Sequence, residues 1–335
     1  MTYHSLPGER TILVQREGFA SLTPQWEDLL EQSPVQSIFF TPQWHELCWQ
    51  NLHDEGWQLL LLAVRAKESP IGIAPLRRRQ RTICFIGSVE VSDYLDFVLQ
   101  TGDEETFYRA FLDALKAEDW DILDLHCLQP ASPTLVHLPP LARREGLSVI
   151  LERESVSPAM ALPDTWEEFL GNLNKKYRHE LRRKLRRLTE NNRFRYYYLE
   201  GEEVAAGMDD FLHLHRISGH EKAAFMDGQM EAFFRAMVDR LAARNWARLY
   251  FLEVGETRVS TALCFQYGQE MLLYNSGFDP AYRSLAVGLL LKSFCIRDAI
   301  ESGMKRFDFL RGSEHYKYEL GGVDVPVYRC VVQRV

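Results

Sequence analysis

The chain has 335 residues, 46% of them hydrophobic and 26% charged, a composition typical of a soluble globular protein. This length is comfortable for two domains, and we expect them at residues 1–158 and 159–335. The net charge of −8 argues against broad affinity of the whole chain for nucleic acid. The six cysteines are scattered without a C-x-x-C pair, which favours buried, reduced thiols over a disulfide framework or a zinc site, so no metal is expected.

The sequence predicts neither an export signal nor a membrane span. Residues 1–15 lack a charged segment followed by an apolar core. The longest apolar run, Leu59–Val64, is far too short to cross a bilayer. We therefore expect a cytoplasmic protein, and no pattern in the sequence indicates its oligomeric state.

The first half mixes predicted strands and helices, which indicates an α+β domain. Strands are predicted at residues 11–15, 57–65, 71–77, 82–86, 121–126 and 147–152, and helices at 26–31, from 42, at 104–117 and at 135–145. Between them, Ser92–Asp96 holds two carboxylates and a phenol. Paired carboxylates can serve acid–base chemistry, but a loop whose aspartates hydrogen-bond to their own backbone is favoured here.

The second half opens with a predicted amphipathic helix. A stripe of apolar residues at helical spacing runs from Phe169 to Leu188. The opposite face is basic, since residues 175–195 contain ten Lys or Arg against two Glu. Such a face is either solvated, or it meets an anion, in which case Arg182, Arg183 or Arg186 would contact a phosphorylated donor or acceptor.

A further helix is predicted at 208–217, where His215 and Arg216 are either ordinary helix residues or line an acceptor pocket. Three strands follow, at 247–254, 258–267 and 271–275. They are joined by tight turns, so neighbouring strands are predicted to be antiparallel.

The chain from Met271 to Leu320 is predicted to form a strand, a loop, a helix and a second strand. Ser276, Gly277, Asp279 and Pro280 break the first strand, and an apolar helical spacing starts at Leu285 and ends at Gly303. A loop that leads into a helix N-terminus presents backbone N–H groups and the positive end of the helix dipole. Such a terminus can bind phosphate without a special side chain.

The loop itself carries a family resemblance. Its residues Arg283, Ser284, Leu285, Ala286, Val287 and Gly288 resemble the pyrophosphate loop of the GNAT acyltransferase superfamily, Arg/Gln-x-x-Gly-x-Gly/Ala. The departure is Ala286, at the position of the first glycine.

Over about residues 10–325 the chain resembles the CelD-type (BioF2-like) acyltransferases, relatives of the Fem-type transferases within that superfamily. The matching stretches are Thr41–Trp44, Ile73–Leu76, Gly87–Ser88, Ser92–Asp96, Trp120–Leu125, Trp166–Phe169, Leu181–Leu188, Leu214–His215, Gly277–Pro280 and Phe307–Lys317. The resemblance implies an α+β fold of two tandem GNAT-like modules with mixed sheets flanked by helices, the second module holding the donor loop.

The resemblance also implies roles for residues of the second half. An acyl-CoA would bind at the loop 283–288 and at the strand edge formed by Tyr274, Asn275, Ser276 and Gly277, whose amides would form the oxyanion site. Asp308 or Glu314 would be the base, although an ion pair with Arg311 or Lys317 is an equal alternative for either. Tyr316 would protonate the leaving thiolate, and Lys317 would act electrostatically near a donor or acceptor phosphate. The substrate-binding candidates are Arg182, Arg186, His215, Arg216 and Arg311.

Three functions follow from this resemblance. The leading one is a cytosolic N-acyltransferase that takes an acyl group from coenzyme A and gives it to an amine of a small molecule, an amino acid or an amino sugar, with a link to polysaccharide synthesis. The second is a Fem-type transferase that uses aminoacyl-tRNA, which the basic helix would suit. The third is a non-catalytic binding protein on a degenerate GNAT fold, consistent with Ala286 in the glycine position.

Overall fold

The structure is a computed structural model that describes residues 2–4, 11–52, 55–191 and 193–334. Contacts divide the chain into two compact units, which we call unit 1 (residues 1–155 and 326–335) and unit 2 (residues 156–325). Residues 1 and 5–10, part of the stretch for which no export signal is predicted, lie outside the described residues. Within the described ranges, no helix is both long enough and apolar enough to cross a membrane.

Both units contain strands and helices. The strands are β1 (Thr2–His4), β2 (Ile12–Arg16), β3 (Gln58–Ala66), β4 (Ser69–Arg79), β5 (Thr82–Phe85), β6 (Val98–Leu99), β7 (Ile122–Leu128), β8 (Ser148–Ala161), β9 (Phe194–Glu200), β10 (Ala247–Val254), β11 (Thr257–Tyr267), β12 (Glu270–Phe278), β13 (Arg306–Asp308) and β14 (Val323–Gln333). The helices are α1 (Phe19–Glu31), α2 (Pro42–Leu52), α3 (Glu104–Leu115), α4 (Pro133–Arg144), α5 (Trp166–Asn172), α6 (Lys175–Asn191), α7 (Met208–Ile217), α8 (His220–Phe225), α9 (Gly228–Ala242), α10 (Val287–Glu301) and α11 (His315–Glu319).

Unit 1 is organised on a sheet in the order β1-β2-β3-β4-β5-β7-β14. Most of its neighbouring strands are antiparallel, but β5 and β7 pair in parallel. Helix α3 begins with Glu104 and Glu105, which suit the positive end of the helix dipole. Its buried Phe107 and Phe111 pack on Phe97, with ring centroids 5.4 and 5.0 Å apart, so an aromatic cluster fixes this helix in the core.

Unit 2 is organised on a sheet in the order β8-β13-β12-β11-β10-β9. The predicted antiparallel pairing of the three strands before the donor loop is confirmed by β10, β11 and β12. Helix α10 packs on this sheet, and its Phe294 stacks on Tyr196 with the ring centroids 4.2 Å apart. The predicted end of α10 is also confirmed, because Gly303 takes a φ of 73° just beyond it.

The predicted amphipathic helix appears as two helices, α5 and α6. Thr165 caps α5 by accepting a hydrogen bond from the Glu168 amide at 3.2 Å. Leu181 and Leu188 of α6 are buried, so the apolar stripe faces the core as predicted. The predicted strand at 147–152 is longer in the structure and extends to Ala161, because Ala159–Ala161 pair with Arg306–Asp308 of β13.

Candidate functional site

The candidate site starts at the edge of β12 in unit 2. This strand pairs with β11 along its whole length, but it pairs with β13 in parallel only over Glu270–Leu272. A register shift opposite Leu263 and Cys264 makes Tyr274 an additional residue in β12. The stretch Tyr274–Gly277, predicted as the oxyanion edge, therefore lies beyond the paired part of the two strands.

The loop after β12 leads into the N-terminus of α10. Asp279 accepts a hydrogen bond from the Ala281 amide at 2.9 Å and starts a 3₁₀ turn over Pro280–Leu285. Ala286 then adopts the left-handed conformation, with φ 56° and ψ 33°, and α10 begins at Val287. Among the described residues no side chain caps this terminus. The Leu289 amide donates to the Ala286 carbonyl at 3.1 Å, which leaves the amides of Val287 and Gly288 available to water or to an anion.

Two contacts hold this loop against its neighbours. A Cβ built on Gly288 would lie 3.0 Å from the ring of Phe278, so a larger residue here would require this ring to shift by a few tenths of an ångström. Arg187 of α6 donates a hydrogen bond from its guanidinium to the Ser284 carbonyl at 2.9 Å. The basic helix thus lies beside the predicted donor loop, while Arg283 and Ser284 are exposed.

A cationic cluster of His215, Lys222 and Lys292 lies beside the same strand. Lys292 is only 8% exposed, and burial followed by repulsion from Lys222 lowers its pKa to about 7. Lys222 donates to the Ser276 carbonyl, and burial lowers its pKa as well. His215 is 1% exposed, and burial followed by the charge of Lys222 lowers its pKa to about 4. Near neutral pH this imidazole is therefore uncharged.

His215 is also the residue against which the edge of β12 packs. A Cβ built on Gly277 would lie 2.5 Å from the Cα and the amide nitrogen of His215. The side chain of Asn275 hydrogen-bonds with the imidazole, and its Oδ1 accepts from the Ser276 amide at 2.9 Å. Three of the predicted site residues, Asn275, Gly277 and His215, are therefore brought together.

The four candidates from the end of the chain lie in two different environments. Glu314 is exposed, and its charge acts on Lys222, Lys292 and Tyr316. Burial raises the pKa of Tyr316, and its ring centroid lies 4.6 Å from the Lys292 Nζ. Glu314 and Tyr316 are thus part of the surroundings of the cationic cluster.

Asp308 and Lys317, in contrast, hold the loop that follows β13. The buried carboxylate of Asp308 accepts from the Leu310 amide at 2.8 Å, from the Ser157 hydroxyl at 3.2 Å and from Arg306 at 3.1 Å. Lys317 donates to the carbonyls of Leu310, Arg311 and Gly312 at 2.8, 2.8 and 3.1 Å and pairs with Glu314 at 2.9 Å. These contacts fix a loop in which Leu310 has a φ of 59°. Arg311 is half-buried in the same loop.

The other predicted substrate-binding arginines are not gathered in one place. Arg182 and Arg186 are exposed on α6. Arg216 donates to the Met226 carbonyl at 3.0 Å and pairs with Glu231. Arg216 therefore ties α7 to the chain around α8 and α9, while the α6 arginines remain available to a ligand.

Sequence reasoning missed Lys222 and Lys292. Lys292 interrupts an otherwise apolar stretch of α10 (Val287, Gly288, Leu290, Leu291, Ser293 and Phe294 are all buried). A single charged residue inside such a stretch was the available signal, because a lysine is rarely buried without a reason. The approach of Lys222 to β12 had no comparable signal in the sequence. Among the described residues, no group of His, Cys, Asp and Glu is arranged to hold a metal ion.

Comparisons with known proteins agree with this architecture. Residues 175–318 match the model of the acetyltransferase (GNAT) domain. A comparison with curated proteins gave no match. Among solved structures, FemX is similar at 13% identity with a TM-score of 0.62, covering 95% of this chain and 96% of that chain. L-PGS from Bacillus licheniformis is similar at 9% identity with a TM-score of 0.56, covering 93% and 91%.

A tandem GNAT protein from the clavulanic acid biosynthesis pathway is similar at 12% identity with a TM-score of 0.50, covering 95% of this chain and 98% of that chain. At these identities the structural likeness establishes the fold. The predicted mixed α+β fold with GNAT-like neighbours is thereby confirmed. The loop 283–288 predicted to bind the donor, the β12 edge and the cationic cluster all fall inside the matched range 175–318.

Proposed function

We propose that this protein is an N-acyltransferase that transfers an acyl group from an acyl-CoA to the amine of a small molecule or amino sugar. Two neighbouring features carry the proposal. The N-terminus of α10 has no side-chain cap among the described residues, and the edge of β12 is unpaired with β13 beyond Leu272. Both lie within the residues that match the GNAT domain. The helix terminus suits a diphosphate, and the strand edge suits the thioester oxygen. The role in polysaccharide synthesis rests on the resemblance of the sequence stretches to CelD-type transferases.

The cluster beside β12 supplies the remaining chemistry. An alkylamine with a pKa of about 10 is mostly charged at neutral pH, so the acceptor must lose a proton before it attacks. His215 is uncharged, and among the described residues its Nδ1 has no hydrogen-bond partner, so the imidazole is able to hydrogen-bond with a substrate or with water. Glu314 and Tyr316, which lie beside the cationic cluster, remain the candidates for base and acid. Tyr316 is protonated because its pKa is raised. Asp308 and Lys317 both hydrogen-bond to the backbone of the loop after β13, which favours a structural role for both residues.

Acetyl-CoA, a longer acyl-CoA and free CoA can be tested by thermal shift with the full-length protein. A ligand that binds the folded state stabilises it by RT ln(1 + [L]/Kd), about 2.7 kcal/mol at a hundredfold excess over Kd. Arg283→Glu places a carboxylate on the donor loop and is expected to remove most of this stabilisation. The matched control is Arg297→Glu, at the other end of α10, where the side chain is exposed and pairs with Glu301. Equal CoA shifts in both variants would contradict the placement of the donor.

A second candidate function is a Fem-type transferase that uses aminoacyl-tRNA. It is favoured by the exposed basic face of α6 beside the donor loop and by the likeness to FemX over nearly the whole chain. The same thermal-shift assay with tRNA separates the two proposals. Stabilisation by tRNA that disappears with salt, without stabilisation by any CoA ester, would favour the second.

A further inference from the structure

The cationic cluster is unusual because its charges lack enough partners. A lysine ammonium can donate three hydrogen bonds. Among the described residues Lys292 donates one, to the Gly288 carbonyl at 3.1 Å, and Lys222 donates one, to the Ser276 carbonyl. Among these described residues, the buried His215 Nδ1 also has no hydrogen-bond partner. A buried cation without a counter-charge is costly, so proteins normally pair it with an anion.

The surrounding groups do not supply that anion. The charged and titratable groups that act on Lys292 are Lys222, Glu314, Cys264 and Cys295, and the ring of Tyr316 faces its Nζ. Lys222 and Arg216 add positive charge near His215. The carboxylate in this group, Glu314, is exposed and already pairs with Lys317 at 2.9 Å. Near neutral pH the positive charge therefore comes from Lys222 and from the protonated fraction of Lys292, and both Lys292 and the His215 Nδ1 are incompletely hydrogen-bonded.

We propose that Lys222, Lys292 and His215 form a binding site for a carboxylate group of one of the two substrates. A carboxylate fits because it is a monoanion with two oxygens that accept several hydrogen bonds. Two sources carry this chemistry: an acceptor that is an amino acid or a similar amino acid derivative, or an acyl group with a terminal carboxylate. This inference rests on the proposed acyl transfer for the identity of the substrates, but the binding site itself can be tested without turnover.

The pH dependence of binding distinguishes this site from a structural role of the lysines. Burial and repulsion from Lys222 hold the pKa of Lys292 at about 7, and a bound carboxylate would raise it. Carboxylate binding therefore takes up a proton. Its affinity is expected to fall by up to about tenfold per pH unit as the pH rises above 7, until the pKa of the bound state is reached.

The experiment uses thermal shift and calorimetry with matched ligand pairs on the full-length protein. Glycine, L-alanine and L-glutamate are compared with their amides, and succinyl-CoA is compared with acetyl-CoA. We expect the carboxylate member of one series to bind at least about tenfold more tightly. Preference within the amino acid series identifies the acceptor as the source, and preference within the CoA series identifies the acyl group.

Lys292→Met and Lys222→Met are expected to remove the preference, because each takes away one ammonium and keeps an unbranched apolar chain. Lys305→Met, an exposed lysine of unit 2, is the matched control and is expected to keep it. Equal binding of carboxylates and amides by the wild-type protein would overturn the proposal, as would a preference that persists in Lys292→Met.

Release of free thiol is measured in the same samples to separate the two proposals. A carboxylate preference without thiol release from any donor would contradict the acyltransferase and retain the carboxylate site. If thiol is released equally with carboxylate and amide acceptors, and equally from succinyl-CoA and acetyl-CoA, the proposed acyl transfer stands. The proposed carboxylate-binding site is then contradicted.

Discussion

Units 1 and 2 contain the same local arrangement and use it differently. In unit 1, β5 and β7 pair in parallel over Thr82–Cys84, and Cys127 near the end of β7 has a φ of 62°. In unit 2, β12 and β13 pair in parallel over Glu270–Leu272, and Leu310 just after β13 has a φ of 59°. Each unit thus places a short parallel pair before a residue in the left-handed region.

The two units differ in the course of the chain beyond the parallel pair. In unit 1 the chain after β5 folds back, so that the Leu95 amide donates to the Cys127 carbonyl at 3.0 Å and the Trp44 indole donates to the Ser92 hydroxyl at 2.9 Å. In unit 2 the first strand continues instead to Phe278, and the carbonyl of Leu310 accepts from Lys317. The chain of unit 1 thus hydrogen-bonds to the end of β7, whereas in unit 2 β12 extends beyond its pairing with β13 and is contacted by Lys222.

Buried ionisable groups differ in how fully they are hydrogen-bonded. In unit 1 the buried Asp96 carboxylate accepts from the Phe97 amide at 2.8 Å and from the Thr134 hydroxyl, and His126 lies between Asp124 and Glu154. The interpretation of Ser92–Asp96 as a loop with backbone-bonded aspartate is confirmed by the first of these contacts. Among the described residues, the Lys292 Nζ donates to the Gly288 carbonyl alone and the His215 Nδ1 in unit 2 has no partner, as also holds for the His45 Nε2 in unit 1. Buried ionisable groups with shifted pKa values are common at sites that bind a ligand.

The largest expected effect is that of Lys292→Met on stability. Replacing an unpaired buried ammonium by an apolar chain of similar length is expected to raise the free energy of unfolding by about 1–4 kcal/mol at pH 7. The folded-state pKa is lowered to about 7, so the wild-type protein gains stability as the pH rises from 7 towards the ordinary lysine value of 10.5. The variant is expected to lose this rise. Denaturation at several pH values measures both, and an unchanged profile would contradict an unpaired Lys292.

Asp96→Asn gives the corresponding test in unit 1. Burial raises the pKa of this carboxyl from 3.8 to about 6, so the wild-type protein loses stability as the pH rises between these values. The loss amounts to about 3 kcal/mol at most. Asn keeps an acceptor oxygen and does not titrate, so the variant is expected to lose this contribution to the loss of stability. Asp119→Asn, at an exposed carboxylate, serves as the control and should leave the slope unchanged.

Gly277→Ala tests the close approach of β12 to α7. The added Cβ meets the backbone of His215 at 2.5 Å, so helix or strand must move, at a cost of about 1–3 kcal/mol. CoA binding is expected to weaken together with stability, because Gly277 lies on the open edge. Gly171→Ala is the control, since nothing lies within 4 Å of the added atom. If Gly277→Ala is as stable as the wild-type protein and binds CoA equally well, the close packing of β12 on α7 is not required for either property.

The smallest expected effect compares two residues in the left-handed region. Ala286→Gly relieves the left-handed strain but adds freedom to the unfolded chain, so the net stabilisation is expected to be about 0–1 kcal/mol. Cys127→Gly removes a buried side chain whose thiol contacts the Ser92 carbonyl at 3.3 Å, and it is expected to destabilise by about 1–2 kcal/mol. Chemical denaturation measures both. Equal changes in the free energy of unfolding for the two variants would mean that the backbone angle φ alone determines the effect of glycine at these positions.

The sequence predicts the elements of the fold well where periodicity is strong. The strand–loop–helix–strand order after Met271 and the end of α10 at Gly303 follow from local patterns, because alternation and a glycine cap depend on neighbours in the chain. The loop 283–288 also carries a recognisable pattern. The assignment of its ligand stays a prediction.

The cationic cluster could not be assembled from sequence, because its members come from α7, α8 and α10 and meet only through tertiary packing. The same limit applies to Asp308 and Glu314, which the sequence offers as equivalent bases. Their burial and partners differ only in the folded chain, where Asp308 is enclosed by three donors and Glu314 is exposed. The sequence therefore indicates which residue types lie near a site, whereas tertiary packing determines which of those residues can react.

Binding of a coenzyme A diphosphate by the amides that open α10 is tested most directly by nuclear magnetic resonance. Acetyl-CoA is titrated into ¹⁵N-labelled protein, and the amide resonances of Val287, Gly288 and Leu289 are followed. These resonances are expected to shift and saturate together, while the amides of Glu104 and Glu105, which open α3 in unit 1, stay unchanged. Resonances at 287–289 that do not move at a concentration where acetyl-CoA stabilises the protein would contradict diphosphate binding at this helix.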